Sequence, residues 1–353
     1  MYFRRIILFL TVFMMGLASA SSTEPKQAGE KYDPVPDIMH HIADSHSWHL
    51  WGEGERHIGF SLPVILWDNG LKVFSSSHFG HAEDQVANID GQYYKIYHNK
   101  IYKTDAEGTL HMHDGHPTNE TPLDFSITKI VVQMIVAALI LFILAMMMKS
   151  SYTENGVPKG VAKFLEPLVL FVRDDIALEN IGTKKYLKYT PYLVTLFLFI
   201  WIVNLLGLVP GSANVSGNIA FTMVLSVLTF VIVTFSGRKV YWSHIFDPLG
   251  SNMPWAGKVL VYIILVPVEI LGMFTKPFAL MIRLFANMTA GHIVILSLIS
   301  LIFIMGTYAI APVSILLTLF INTLELLVAA LQAYIFTLLT ALFIGMAVEE
   351  GHH

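Results

Sequence analysis

Cysteine is absent from the sequence, which excludes disulfide bonds, thiol nucleophiles and cysteine-held metals. Any exported part of the chain must therefore be held together by its own core. Charge is scarce too: 14% of residues are charged against 54% hydrophobic, a balance that belongs to a polytopic membrane protein. The formal net charge of −4 lacks the basic excess that nucleic-acid binding needs. Scarcity is most pronounced near the C-terminus. From Val259 to Val348 the only formally charged side chains are Glu269, Lys276, Arg283 and Glu325.

What is present divides the chain into three. Arg4 and Arg5 precede an apolar run, Ile6 to Leu17, that ends in Ala18-Ser19-Ala20. This pattern reads as a cleavable secretory signal over residues 1–20. The alternative is a permanent anchor, although about 12 apolar residues fall short of the roughly 20 that span a bilayer. Residues 21–122 hold 11 of the 15 histidines, with short alternating runs at 61–67 and 93–97 and an Asp-Asn-Gly turn signal at 68–70. They predict a small β-rich extension outside the membrane. Residues 123–353 form the membrane domain.

Within that domain, Ile130 to Met148, Thr190 to Leu208 and Asn218 to Phe235 contain no Lys, Arg, Asp or Glu and have spanning length. Gly160 to Asn180 differs: its apolar residues recur at helical spacing among Lys163, Glu166, Arg173 and Asp174, which predicts an amphipathic helix on the membrane surface. The stretch 259–348 divides near Gly306 into two apolar segments, each about twice a perpendicular span. They are either broken or long tilted helices folded as a hairpin. The expected fold is thus an all-α polytopic membrane protein with about five crossings, one surface helix and a β-rich N-terminal domain. Seven basic residues lie in 149–189 and three in 237–258, while 210–217 has none. Positive-inside bias places the basic segments and the C-terminus in the cytoplasm, and the N-terminal domain outside.

An arginine at mid-membrane costs about 2.5–3.5 kcal/mol on insertion scales and is a functional candidate by default. At about 100° per residue, Glu269, Lys276, Arg283 and Asn287 fall within roughly 40° of one another, while His292 points away from Arg283. Glu325 and Gln332, seven apart, share a face. Folding the two segments back near residue 307 sets Gln332 level with Arg283, and Glu325 within about two residues of the level of His292. A carboxylate and an imidazole at one depth suit proton exchange; a purely structural ion pair is the alternative. The periodicity describes a polar path through an apolar hairpin.

Three segments carry a family resemblance. Thr275-Lys-Pro-Phe-Ala-Leu-Met-Ile-Arg-Leu-Phe-Ala-Asn-Met-Thr-Ala-Gly291, Leu331-Gln-Ala-Tyr-Ile-Phe-Thr-Leu-Leu-Thr340 and Asn204-Leu-Leu-Gly-Leu-Val-Pro210 resemble the a subunits of bacterial F-type ATP synthases, over roughly residues 125–350. The resemblance implies that Arg283 is the family's essential arginine, with Asn287 and Gln332 its polar companions. It also implies that Glu269 and Lys276 mark a cytoplasmic proton exit. The familiar bacterial pattern has Glu and His at the positions of His292 and Glu325; here the two are exchanged. Further implications are two proton half-channels that load and unload a rotor-ring carboxylate, b subunits of a peripheral stalk, and a separate catalytic sector. The chain would sit in the inner membrane, perform no covalent chemistry and need no cofactor.

Two rival readings carry different expectations. A secondary transporter would show inverted repeats, and the sequence has no internal repeat. A histidine metal site in the extension would draw on His78, His81, His111, His113 and His116, whose spacings also suit one strand face.

Overall fold

The computed structural model describes residues 33–51, 58–80, 83–153, 155–209, 211–246, 255–305 and 310–349. The signal pattern, His81, the turn near residue 306 and the last four residues lie outside these. The chain divides into two compact units. One comprises Met1–Val136, Leu206–Asn214 and Leu296–Ile315; the other comprises Ala137–Leu205, Val215–Ile295 and Leu316–His353.

Among its described residues, the first unit starts with helix α1, Val35–Ile42, followed by ten strands: β1 Ser47–Trp51, β2 Ile58–Ser61, β3 Pro63–Trp67, β4 Leu71–Ser75, β5 Ala87–Ile89, β6 Gln92–Tyr97, β7 Lys100–Thr104, β8 Met112–His113, β9 His116–Pro117 and β10 Leu123–Asp124. All pair antiparallel, in the orders β1-β2, β10-β3-β4, β5-β6-β7 and β8-β9. The expected β-rich region is therefore present. Asn69 at φ 51° and Gly70 at φ 139° close the β3–β4 hairpin, left-handed angles that asparagine and glycine adopt at low cost. Side chains alternate by face, so Val64 and Leu66 turn inward onto Phe79, Ala87, Tyr94, Ile96 and Ile101. Within the described part, Asp68 supplies a polar tie to this core. It accepts hydrogen bonds from Tyr94 Oη at 2.7 Å and from Lys103 Nζ at 2.7 Å.

Among the described residues, five helices are long and apolar enough to cross a membrane. They are α2 Lys129–Ser150, α4 Tyr186–Gly207, α5 Ile219–Ser236, α7 Trp255–Met305 and α8 Ala311–Val348. At about 1.5 Å per residue, α2 and α4 measure roughly 33 Å, close to a hydrocarbon core of about 30 Å. Asn218 starts α5 by accepting from the amides of Ala220 and Phe221, an N-cap that satisfies otherwise unpaired donors. The amphipathic segment begins as α3, Ala162–Phe171, and continues through a π-helical stretch, Val172–Leu178. A short helix, α6, spans Lys239–Phe246.

The choice between broken and continuous C-terminal segments is decided for continuity. Helix α7 has 51 residues and α8 has 38, roughly 77 and 57 Å. Pro267 and Pro277 lie inside α7; each removes one amide donor from the ladder without ending the helix. Gly345 of α8 meets the amphipathic segment closely: a Cβ there would collide with the carbonyl oxygen of Asn180.

Candidate functional site

The site residues come from α7 and α8 within the second unit. Leu280, Met281, Leu284 and Met288 form the buried face of α7, recurring at helical spacing. Arg283 and Asn287 are exposed on another face, one turn apart, beside exposed Phe278 and Ile282. Glu269 is exposed two turns below Lys276. Lys276 itself is half-buried, with Nζ 5.4 Å from the centre of the Phe343 ring, within range of a cation–π contact. It lines a narrow cleft, with room for about one water molecule, together with Thr229, Val233, Tyr241, Leu280 and Phe343. The four polar residues of the α7 stripe therefore follow one helix, but only Lys276 turns into the protein.

His292 and Glu325 meet. His292 Nδ1 lies 3.0 Å from Glu325 Oε1, and the glutamate is 3% exposed. Glu325 Oε2 is buried without a hydrogen-bond partner among the described residues. A buried carboxylate oxygen without a hydrogen bond is costly; this carboxyl has one partner, His292, and one acceptor that no described residue fills. Packing leaves it little room. A Cβ on Gly291 would lie 2.6 Å from Oε1 and 2.8 Å from Cδ of Glu325, so the glycine makes space for the carboxyl against α7.

Gln332 is buried while Arg283 is exposed, and no hydrogen bond joins them among the described residues. The level match between these two does not become a contact. Residues to which the sequence reading gave no individual role lie in the same unit. Asn204 is buried, donates through Nδ2 to the carbonyl of Ala329 on α8, and accepts from Ser216 Oγ. Thr222, Ser226 and Thr229 form a buried stripe on α5, and Tyr192 Oη reaches Thr229 Oγ1 at 3.1 Å. Their spacing of four and three residues is the signal that reveals such a face. Thr318, Glu325 and Gln332, seven apart, are all buried and line one side of α8.

The histidine metal reading draws no support from geometry: among the described residues no three His, Asp or Glu side chains are grouped to hold a metal ion.

The chain matches the family described as ATP synthase A chain over residues 130–345. Residues 37–125 match a domain of unknown function, DUF8433. It is 47% identical to the ATP synthase subunit a of Chloroherpeton thalassium over 259 residues, covering 69% of this chain and 77% of that one. Against the ATP synthase subunit a 2 of Chlorobaculum tepidum the identity is 48% over 272 residues, 73% of this chain and 74% of the relative. The ATP synthase subunit a 2 of Chlorobium luteolum is 40% identical over 302 residues, 81% of this chain and 85% of the relative. An overlap of that length has to enter the β-rich region.

Proposed function

The chain belongs to the ATP synthase subunit a family, and from that premise we propose that it carries protons to and from a rotor ring by two half-channels meeting at Arg283. The observation that carries this reading is Arg283 itself. It lies in an apolar membrane helix, exposed at the chain's surface beside Phe278 and Ile282, with Asn287 one turn away. Such a cation needs a partner outside the chain, and an ionised carboxylate on a rotor subunit supplies one.

On this reading, protons approach from the periplasm through His292 and Glu325, where Oε2 offers an unoccupied acceptor, and neutralise the rotor carboxylate. The ring turns, and the proton leaves past Lys276 and Glu269 to the cytoplasm. Asn287 and Gln332 line the path on either side of Arg283. The guanidinium stays charged in any protein environment. It favours the ionised rotor carboxylate, and hence proton release next to it, while opposing direct passage of a proton between the half-channels. The driving force is about 2.3 kcal/mol per charge per 100 mV. Phosphoryl chemistry falls to the catalytic sector, which the peripheral-stalk b subunits hold to this chain.

Topology completes the proposal. Residues 1–20 direct export, 21–122 lie in the periplasm, and 123–353 form the domain of the bacterial inner membrane, with the C-terminus cytoplasmic. Cross-linking tests the rotor contact cleanly, because the chain has no cysteine of its own. Ile282→Cys should form a disulfide with cysteines placed beside the rotor carboxylate, whereas Met288→Cys, on the buried face, should not. Equal yields at both positions would contradict the rotor-facing assignment.

A further inference from the structure

The β-rich domain carries apolar surface that its own core does not use. In the β10-β3-β4 sheet, Leu123 pairs with Trp67, which pairs with Leu71, and Ile65 pairs with Val73. Phe125 extends β10 by donating its amide to the Ile65 carbonyl at 2.9 Å. Residues opposite one another in a ladder share a face. Trp67, Leu71, Val73, Leu123 and Phe125 therefore make one continuous patch, each of them 55–65% exposed. The other face of the same sheet, Val64 and Leu66, is the domain core. A sheet apolar on both sides is built to be covered on both sides.

Helix α1 repeats the pattern. Val35, Ile38, Met39 and Ile42 recur at intervals of three and four, yet Val35 and Met39 are 58% and 59% exposed. A short amphipathic helix with an uncovered apolar stripe suits a membrane–water boundary.

Hydrogen bonds tie both surfaces to the start of a membrane span. Two residues after α1, Asp44 Oδ1 accepts from the amide of Ile130, and the Ser45 carbonyl accepts from the amide of Lys129 at 3.0 Å. On the sheet side, the amide of Ile127 donates to the Pro63 carbonyl at 3.1 Å. Phe125 is four residues from the first residue of α2, at most about 14 Å of chain. Just beyond this junction, still within the same unit, α2 exposes Ile135. Trp48 Nε1 donates to the Gly211 carbonyl at 2.8 Å, fixing the domain also to the loop after α4, on the side where α2 begins. Tryptophan side chains such as that of Trp67 concentrate at the headgroup level of bilayers.

We propose that the β-rich domain is a membrane-seated module, with its β10-β3-β4 face and helix α1 resting in the headgroup boundary of the leaflet from which α2 starts. The lipid surface, rather than another protein, is the partner that continuity with α2 selects. Single cysteines can be introduced without background labelling. Met39→Cys, Leu71→Cys and Leu123→Cys, each carrying an environment-sensitive fluorophore, would be compared with Lys100→Cys at the exposed β6–β7 turn. The assembled synthase is reconstituted in vesicles of phosphatidylethanolamine and phosphatidylglycerol that contain lipids with a shallow nitroxide. Labels at 39, 71 and 123 should be quenched several-fold more by the nitroxide lipid than the label at 100, and shielded from aqueous iodide. Iodide quenching equal to that at 100 would overturn the proposal in favour of a solvent-facing patch. Protection from both quenchers would overturn it in favour of a protein partner.

Discussion

Gly291→Ala is the change by which the packing of the carboxyl–imidazole pair can be tested without touching either partner. The added methyl would lie 2.6 Å from Glu325 Oε1 and 2.8 Å from its Cδ. Ordinary contact at about 3.4–4 Å demands a retreat of roughly 0.6–0.8 Å or more by the carboxyl. The glutamate is the flexible party, since Gly291 is fixed in the middle of α7. Moved along the line from His292, the 3.0 Å contact lengthens to about 3.7 Å, beyond hydrogen-bonding distance. A charge-assisted hydrogen bond of this kind is worth about 1.5–3 kcal/mol, one to two decades of rate if proton transfer uses it. The helix itself gains from alanine, by up to about 1 kcal/mol, so folding should survive. Passive proton conduction through the membrane sector in vesicles, read by a pH dye, should fall by that factor. Adding Glu325→Asp, which shortens the side chain by one methylene, should restore part of the flux. Wild-type conduction by Gly291→Ala would refute the reasoning, as would a loss that Glu325→Asp deepens.

The exchanged double variant His292→Glu with Glu325→His should conduct faster than either half of the exchange alone, because each single change leaves a buried group facing a like partner; additive losses in the same flux assay would mean independent roles. In the β-rich domain, Lys103 and then Tyr94 hold the Asp68 carboxyl below its ordinary value. Folding therefore stabilises the ionised form: the contribution is complete above the unfolded aspartate value near 3.9 and is lost as pH falls through the lower folded value. Hydrogen exchange of β6–β7 amides in the full chain should accelerate through that acid window. Asp68→Asn should flatten the dependence at a cost of about 1.5–3 kcal/mol at neutral pH, and an unchanged acid profile would contradict the assignment.

The spans were legible because uninterrupted apolar runs of the right length have few other uses, and the structure moves none of the first three spans' boundaries by more than four residues. In the β-rich region the turn at 68–70 was readable from its Asp-Asn-Gly. The two-sidedness of β3 was not, because Pro63-Val-Ile-Leu-Trp67 is apolar at every position, and composition cannot say which face a neighbour covers. The level match of His292 with Glu325 followed from hairpin geometry, and the two side chains meet. The same geometry set Arg283 level with Gln332, yet one side chain faces out and the other in; depth along a helix does not fix azimuth on its neighbour. Continuity of α7 through Pro267 and Pro277 could not be read either, since proline permits a break without requiring one. Asn204 entered only as the start of a family segment and Ser216 not at all, because single polar residues near span ends are common; only three-dimensional packing shows that Asn204 bonds to α8 and Ser216 to Asn204.

The central claim is that Arg283 faces the rotor and separates two proton paths. Its most direct test is ATP synthesis driven by an imposed proton gradient in vesicles containing Arg283→Ala, with subunit composition checked after purification. The account predicts an assembled complex that makes no ATP under the gradient, and no rescue by Arg283→Lys, whose ammonium lacks the planar fork and loses its proton more readily when desolvated. Synthesis near the wild-type rate in a fully assembled Arg283→Ala complex would contradict it.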